Sequence, residues 1–491
     1  MMIVLVSPRE AAELFITVIV IVAISWRIFA RRRWNLPPGP KTLPVAGNVF
    51  QVSRGYEWLQ YARWGKEYGP IFCLSFFGER VIVLNSQQAA ADILEKNMNI
   101  YSDRPRNMVM ASELIGWNRA LALNSGGPQH RKFRRLLNKS LNAAAVHDYR
   151  SLQEESALDL VRLLLEAPQD FLKHIRTTVG RSIIGISYGH DIQVKGQDYI
   201  SYAEGVHDVF GLAAKPYAFL VDQLPFLRHL PSWLPGLGFK RQAVQWRKDL
   251  DELAQIPFDT VKADIANGDA PDSYVAAQLR AQKAKPNADT REDDIMWTAA
   301  SLYTGGSDTT IAGLTAFFLL MCLHPEAQKR AQEEIDKVVG SDRLPSFVEM
   351  PNLPYVSACV KETLRYWTVA PLGLPHRAME HGRYQEYDIP AGSTVVANIW
   401  GIMHDEAVYS DPLTFKPERF LPRSAGGLGE PDCAPAVFGY GRRICPGMHL
   451  AEASLWMYAA RILAVLDIKP VRGEDGMEVP PREEPGAGVI W

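Results

Sequence analysis

The amino-acid sequence predicts a mainly α-helical fold with a small β-sheet region, preceded by an N-terminal membrane anchor. Three patterns predict it: an uncharged apolar run near the N-terminus, a β-rich hairpin pattern around Gly78, and an apolar helical pattern over residues 293–323. Of the 491 residues, 47% are hydrophobic and 22% are charged, which is enough apolar material for a large packed core. This composition excludes disordered, collagen-like and small disulfide-stabilised proteins.

The charge balance and the cysteines exclude further classes. Lysine and arginine number 53 against 55 acidic residues, a net charge of -2, so the basic excess that nucleic-acid binding requires is missing. The 5 cysteines are odd in number and lack CxxC spacing. This pattern indicates reduced thiols rather than a disulfide framework or a zinc ribbon.

The N-terminal run predicts a single-span anchor. Residues 14–26 carry no charge, and residues 11–30 reach the length that spans a bilayer, with Glu13 and Arg27 near the ends. Three arginines at 31–33 follow the run and only Arg9 precedes it, so the positive-inside rule places the following chain in the cytosol. This order favours an uncleaved anchor over a cleaved signal peptide. We therefore expect an anchor with its basic stop at residues 1–33 and a stiff, Pro-rich hinge at 34–41.

The next segments alternate strand and helix patterns. Residues 71–77 and 80–84 are predicted strands around Gly78 and Glu79, and residues 87–96 return to a helical pattern. From about residue 129 the chain is mostly helical. Residues 224–239 combine three prolines with Phe226, Trp233 and Phe239, so this segment either contacts the membrane or packs on the core, with equal support for both.

A long central helix is predicted over residues 293–323, and a further helix from Pro325 to about Gly340. Its middle reads Gly-Gly-Ser-Asp-Thr-Thr at 305–310, a cluster of poor helix formers with one acid in apolar surroundings. Close packing against another helix explains the glycines but not the acid and hydroxyls. Such a local conflict is typical of a functional site.

A second functional segment is the glycine-rich loop at 438–447, which precedes a predicted amphipathic helix at 449–466. Cys445 lies where backbone N–H groups and a helix dipole stabilise a thiolate, so its sulfur suits a metal. We expect Gly441 and Gly447 to let the backbone approach a flat cofactor. Phe438 is expected to cover the sulfur, and Arg443 to supply charge for an acidic group.

This loop matches FxxGxRxCxG, and the chain thereby resembles the cytochrome P450 family. Residues 362–365 resemble its ExxR motif, residues 417–420 its PERF motif, and residues 305–310 its oxygen-activating motif, all in the family's order. The resemblance implies one haem domain, which we assign to residues 42–491, with haem b bound through Cys445. The spacing of Glu362 and Arg365 predicts one shared helix face, and Arg419 is expected to complete a buried structural network.

The resemblance also implies roles for individual residues. Asp308 and Thr309 correspond to the family's acid and alcohol, which relay protons to dioxygen. Arg443, Arg134 and Arg377 correspond to the cations that hold the haem propionates. The family often has a tryptophan four residues before the arginine that corresponds to Arg134, and here His130 replaces it. Histidine can still donate an N–H to a carboxylate.

The resulting prediction is a monooxygenase that inserts one atom of O₂ into a hydrophobic terpenoid, steroid, aromatic or polyketide-like substrate. No dinucleotide, flavin or iron–sulfur motif is present, so electrons are expected from a separate NADPH-cytochrome P450 reductase, with cytochrome b5 as an additional donor. The chain looks most like microsomal enzymes of fungal secondary metabolism or xenobiotic oxidation, which implies the endoplasmic reticulum membrane. The alternatives are a haem-thiolate isomerase or dehydratase that does not use O₂, and a non-catalytic haem-binding protein.

Overall fold

The helices carry most of the structure, as the sequence predicted. The computed structural model describes residues 34–53, 55–215, 218–284, 289–473 and 475–483. The predicted anchor and its arginines lie outside these residues. The α-helices are α1 (Glu57–Tyr68), α2 (Gln87–Ala90), α3 (Pro128–Leu141), α4 (Arg150–Glu166), α5 (Phe171–Tyr188), α6 (Tyr199–Ala213), α7 (Leu220–Gln223), α8 (Phe239–Asn267), α9 (Tyr274–Ala284), α10 (Glu292–Leu323), α11 (Pro325–Val338), α12 (Pro354–Tyr366), α13 (Ile399–Met403), α14 (Ala434–Val437) and α15 (Met448–Val465).

The strands form one sheet of four strands and several two-stranded ribbons. The strands are β1 (Ile71–Phe76), β2 (Glu79–Leu84), β3 (Gln193–Val194), β4 (Gln197–Asp198), β5 (His376–Arg377), β6 (Gly382–Tyr384), β7 (Tyr387–Ile389), β8 (Thr394–Ala397), β9 (Val471–Arg472) and β10 (Glu478–Val479). The larger sheet has the order β1-β2-β8-β5. The predicted hairpin is its first strand pair, with Ile71 opposite Leu84, and β8 joins β2 in parallel.

Helix α10 is the long central helix that the sequence predicted. The Asp294 carboxylate accepts the Arg291 backbone N–H at 2.9 Å and caps its start, and α10 ends before Pro325. Among the described residues, α10 alone is long and apolar enough to cross a membrane, but 56% of its most apolar window is buried inside the protein. Its residues Ile295 and Leu314 belong to two different apolar core clusters, so α10 connects two parts of the core.

Helix α15 differs from its predicted amphipathic pattern. Every residue from Ser454 to Leu463 is buried, including Trp456 and Arg461. Trp456 packs against Phe347, and the Arg461 guanidinium donates to the Pro345 carbonyl at 3.0 Å. The prediction was wrong because polar residues on α15 bond to neighbouring segments instead of facing water.

The described Pro-rich segment, residues 34–41, is extended and lies against the sheet. The Pro38 carbonyl accepts a hydrogen bond from the Cys73 backbone N–H at 2.8 Å. Asn35 bonds to Glu386 and Asp388 near β7. These contacts fix the direction in which the chain enters the domain.

Candidate active site

Cys445 lies in a tight loop between a 3₁₀ turn, Gly441–Arg443, and the start of α15. Its backbone N–H donates to the Phe438 carbonyl at 2.7 Å, which closes the loop around the sulfur. Burial raises the pKa of the Cys445 thiol, against smaller opposing effects from a Gly447 backbone hydrogen bond and the Arg134 charge. Burial therefore outweighs the helix-start effect expected from the sequence. A bound metal cation would favour the thiolate here.

Cys445 is the one cysteine among the cavity-lining residues of the described chain. This cavity lies between α10 and the cysteine loop, and Phe438, Gly447 and Leu455 also line it. Cys359 and Cys433 are buried elsewhere, and burial raises the pKa of both thiols. Cys445 therefore has the position that an axial ligand needs.

Three arginines lie at one edge of this cavity and are held by backbone carbonyls. Arg443 donates to the Ser102 and Asn124 carbonyls at 2.7 and 2.6 Å, and Arg104 donates to the Ala122 carbonyl at 2.8 Å. Arg134 donates to the Ile444 carbonyl at 2.6 Å. Burial lowers the pKa of each guanidinium, to about 10 for Arg443. Carbonyls leave the positive charges unbalanced, so an anion is favoured here, and the two haem propionates fit.

Two histidines lie beside these arginines. Burial, followed by the charge of Arg443, lowers the pKa of His130 to about 3, so its ring is neutral at physiological pH. The pKa of His376 is also lowered to about 3, by burial and then by the charge of Arg104. Both rings line the cavity. The single N–H of the neutral His376 ring, on Nδ1, donates to the Tyr101 carbonyl at 2.7 Å, whereas the neutral His130 ring retains an N–H that it can donate to a propionate.

Arg377 occupies a different place from the one that its predicted role requires. It is not among the cavity-lining residues, and its guanidinium pairs with Asp103 at 3.0 Å. Its neighbour His376 lines the cavity instead. Sequence reasoning missed Arg104, which follows Asp103 in a non-helical segment and bonds to carbonyls some 270 positions away. No local spacing pattern marks such a residue.

Gly441 is required by the protein itself. It has a φ of 56°, and a Cβ at this position would clash with the Leu94 carbonyl of a neighbouring π-helix. Gly441 does not line the cavity, whereas Gly447 and Phe438 do. The close approach to Leu94 is thus a reason for Gly441 that the sequence did not show, and its approach to a cofactor stays a prediction.

Asp308 and Thr309 line the cavity from α10. The Thr309 hydroxyl donates to the Gly305 carbonyl at 2.7 Å, one turn earlier. Helix α10 is continuous through these poor helix formers. The Asp308 side chain is 32% exposed, which differs from the buried acid that the sequence suggested. Gly305 has open space where a Cβ would lie, and Gly306 packs against Ile183 of α5. The two glycines therefore serve different purposes.

The remaining cavity wall is largely apolar. The apolar side chains come from α5, α6, the segment before α3 and the segment after α12: Ile183, Phe210, Trp117, Leu121, Val369, Leu372 and Leu374. The hydroxyls of Ser301 and Thr304 bond to carbonyls one turn earlier in α10, at 2.6 and 2.8 Å. These walls suit a hydrophobic organic molecule.

The predicted ExxR network is present and fully buried. Glu362 accepts two hydrogen bonds from Arg365, at 2.7 and 2.8 Å, and one from Arg419 at 3.1 Å. Arg365 also donates to the Met403 carbonyl at 2.8 Å, and the Lys416 backbone N–H donates to Glu362 at 2.8 Å. The network joins α12, α13 and the 3₁₀ turn Pro417–Phe420.

Comparisons with known proteins agree with this arrangement. The family model described as Cytochrome P450 matches residues 37–489. The chain is 38% identical to cytochrome P450 monooxygenase 208 of Postia placenta, over 99% of this chain and 93% of that protein. It is 39% identical to cytochrome P450 monooxygenase claR of Ampulloclitocybe clavipes, over 94% and 85% of the two chains.

A third relative carries a substrate in its name. The chain is 37% identical to tryptamine 4-monooxygenase of Psilocybe cyanescens, over 90% of this chain and 88% of that protein. The family match and the full-length fungal relatives, together with the cysteine loop, confirm the resemblance seen in the sequence. The chain therefore belongs to the cytochrome P450 family, whose members bind haem through a cysteine thiolate and act as monooxygenases.

Proposed function

We propose that this protein is a membrane-anchored haem-thiolate monooxygenase that inserts one atom of O₂ into a hydrophobic organic substrate. The observation that carries the proposal is a single cavity lined by Cys445, by the pair Asp308 and Thr309, and by apolar side chains. Haem, held by Cys445 and by Arg104, Arg134, Arg443 and His130, supplies the iron that activates O₂ when it is bound.

In this proposal the chain's own residues supply protons and exclude water. The Thr309 hydroxyl, now donating to Gly305, rotates about its χ1 bond to present a proton to the cavity. Asp308, the preceding residue on the same cavity wall, is proposed to replace that proton. The apolar walls limit disordered water, which would otherwise release reduced oxygen as hydrogen peroxide.

Retention of this pair favours oxygen chemistry over the alternatives. A haem-thiolate isomerase or dehydratase needs no proton relay to O₂, and a haem carrier needs neither the relay nor a substrate cavity. An Asp308 that reaches the cavity and a helical Thr309 support the monooxygenase. Product analysis with reductase, NADPH and a panel of terpenoid, steroid, aromatic and polyketide-like compounds tests this assignment. Turnover without consumption of O₂ would favour the isomerase.

Electrons are proposed to come from NADPH through a separate cytochrome P450 reductase. Arg131, Arg135 and Lys139 are exposed at four-residue spacing on α3, and therefore share one face of that helix. Arg442, next to the cysteine loop, is exposed as well. This basic face suits an acidic electron donor, either the reductase or cytochrome b5. Haem reduction by reductase should slow in Arg135→Gln, and the difference should shrink at high salt.

Residues 224–239 are proposed to rest on the endoplasmic reticulum membrane, with the domain on the cytosolic side. Phe226 and Trp233 are 57% and 75% exposed, whereas Leu227 and Leu237 are buried, so the segment packs on the core with one side and is free on the other. Brominated lipids should quench less of the protein's fluorescence in Trp233→Phe than in the wild type. Protease added to sealed microsomes should digest the domain, and full protection would contradict the cytosolic orientation.

A further inference from the structure

His207 of α6 faces the catalytic acid of α10. Its ring nitrogen Nδ1 lies 2.7 Å from the Asp308 carboxylate oxygen Oδ2. Both residues line the cavity, and the His207 side chain is only 8% exposed. His207 lies outside every motif identified in the sequence, about 100 positions before Asp308.

The surroundings of His207 leave Asp308 as its polar partner. Within the described residues, neither ring nitrogen has a hydrogen-bond partner, and both nitrogens are buried. The Asp308 carboxylate is at ion-pair distance from Nδ1 but is not aligned as a hydrogen-bond acceptor. The ring stacks on Tyr303 of α10, with 6.3 Å between centroids and 21° between planes. This stacking, one turn before Asp308, fixes the plane of the imidazole.

The distance between the two atoms has a chemical consequence. An imidazole nitrogen without hydrogen and a carboxylate oxygen are both acceptors and repel each other at 2.7 Å, so this contact is favourable only for the tautomer with a hydrogen on Nδ1. Thr309 does not share that proton, because its hydroxyl donates to Gly305. The Asp308 oxygen Oδ2 therefore lies on the side of the cavity formed by α6.

Other ionisable groups nearby do not replace His207. Burial, and then the charge of Asp308, raises the pKa of Tyr303 far above its usual value, so this phenol stays neutral. Glu204, also on α6, lies 3.8 Å from Arg176 and is 43% exposed. His207 is thus the group on α6 that meets Asp308.

We propose that His207 is a positioning residue that holds the Asp308 carboxylate on the α6 side of the cavity through the contact with Nδ1, and so makes proton delivery depend on the position of α6. The inference rests on the proposed monooxygenase function. Phe210, one turn beyond His207, lines the cavity and contacts Trp117 at 4.6 Å between ring centroids. A substrate that presses on Phe210 would move the same helix that holds the acid.

The test uses the full-length protein with its reductase and NADPH, in the absence of an organic substrate. The measured quantity is the ratio of hydrogen peroxide to water formed from O₂. His207→Phe can keep an aromatic ring against Tyr303 but removes the ring nitrogen that contacts Asp308. The peroxide-to-water ratio should then rise about tenfold, a typical coupling between contacting residues. His207→Gln keeps an N–H donor and should stay closer to the wild type. Asp208→Asn, an exposed change on the same helix, is the matched control.

Asp308→Asn separates failure of this inference from failure of the proposed function. If Asp308→Asn raises the peroxide ratio and His207→Phe does not, the role of His207 is refuted. If neither variant raises it, the proposed relay itself is wrong. The double variant should match Asp308→Asn alone, both in peroxide ratio and in thermal midpoint, because the two residues act as one unit. Additive effects in both measurements would overturn the proposal, and His207→Gln carries the test if His207→Phe does not fold.

Discussion

The Arg134 guanidinium donates a hydrogen bond of 2.6 Å to the carbonyl of Ile444, the residue before Cys445. Helix α3 thereby holds the cysteine loop directly, in addition to the propionate role that the resemblance implies for Arg134. The same helix carries His130 one turn earlier on the cavity wall. The position of the sulfur and the charge at the cavity edge therefore depend on one helix.

Replacing Arg134 with leucine should lower haem content and destabilise the cysteine loop by about 2 kcal/mol, the usual value of a hydrogen bond to a charged group. Lysine should restore part of the charge but not the bond geometry. Haem content per polypeptide and the thermal midpoint measure the two effects. Arg131→Leu, an exposed change on α3, is the control and should retain haem. Equal haem loss in both variants would contradict the specific contact.

Replacing Cys445 with serine should abolish the thiolate-type carbon monoxide difference spectrum of the reduced protein. Cys445 alone among the described cysteines lines the cavity. Cys433→Ser is the control, since the Cys433 sulfur lies 3.5 Å from the Lys361 carbonyl and is buried away from the cavity. Loss of the spectrum in Cys433→Ser, with retention in Cys445→Ser, would reverse the assignment.

Thr309→Ala should leave haem content and substrate binding nearly unchanged while NADPH oxidation is diverted into hydrogen peroxide. Loss of a well-placed proton donor usually slows the step concerned about a hundredfold. The measurement is product and peroxide formed per NADPH. Asp293→Asn, an exposed change on the same helix, is the control. Unchanged coupling in Thr309→Ala would move the relay to another hydroxyl, such as Thr310, or support the isomerase.

Glu362→Gln should destabilise the protein by about 3–5 kcal/mol, because it leaves the buried charge of Arg365 without its carboxylate partner and removes one of the two carboxylates that pair with Arg419, the other being Glu430. Glu406→Gln is the matched control, since Glu406 forms an exposed ion pair with Lys66 at 3.0 Å. Such a surface pair contributes less than about 1 kcal/mol. Urea unfolding of both variants measures the difference, and similar losses would contradict the importance of the buried network.

His404→Phe should make the protein less sensitive to acid. Burial, and then the charge of Arg365, lowers the pKa of His404 from 6.5 to about 3. As the pH falls below 6.5, His404 takes up a proton in the unfolded chain but stays neutral in the folded protein, which favours unfolding. With respect to this histidine, the free energy of unfolding is therefore highest above pH 6.5 and decreases towards pH 3. Phenylalanine does not titrate and can keep the 4.1 Å stacking on Trp400.

The measurement is the free energy of unfolding from pH 7 to pH 4 for wild type and variant. His381→Asn, at a side chain 47% exposed, is the control. The wild type should lose more stability than His404→Phe over this interval, and parallel curves for the two proteins would contradict the prediction.

Local sequence patterns were sufficient to predict several elements of the fold. The apolar period of α10, the β-rich runs of the hairpin at Ile71–Leu84 and the fixed spacing in the cysteine loop each depend on neighbours in the chain. Glu362 and Arg365 lie three residues apart on one helix, so their contact also follows from local geometry. The predicted domain boundaries at 33 and 41 and the membrane anchor remain predictions.

What the sequence by itself determined was the helical class, the cysteine loop and the family, because periodicity and fixed spacing express interactions between residues close in the chain. Only the tertiary structure decided that Arg104 joins the cavity edge, that Arg377 pairs with Asp103, and that His207 meets Asp308. It also decided that α15 is buried rather than amphipathic. These facts depend on contacts between segments tens to hundreds of residues apart, and burial changes the pKa and partner of a side chain in ways that no local pattern records.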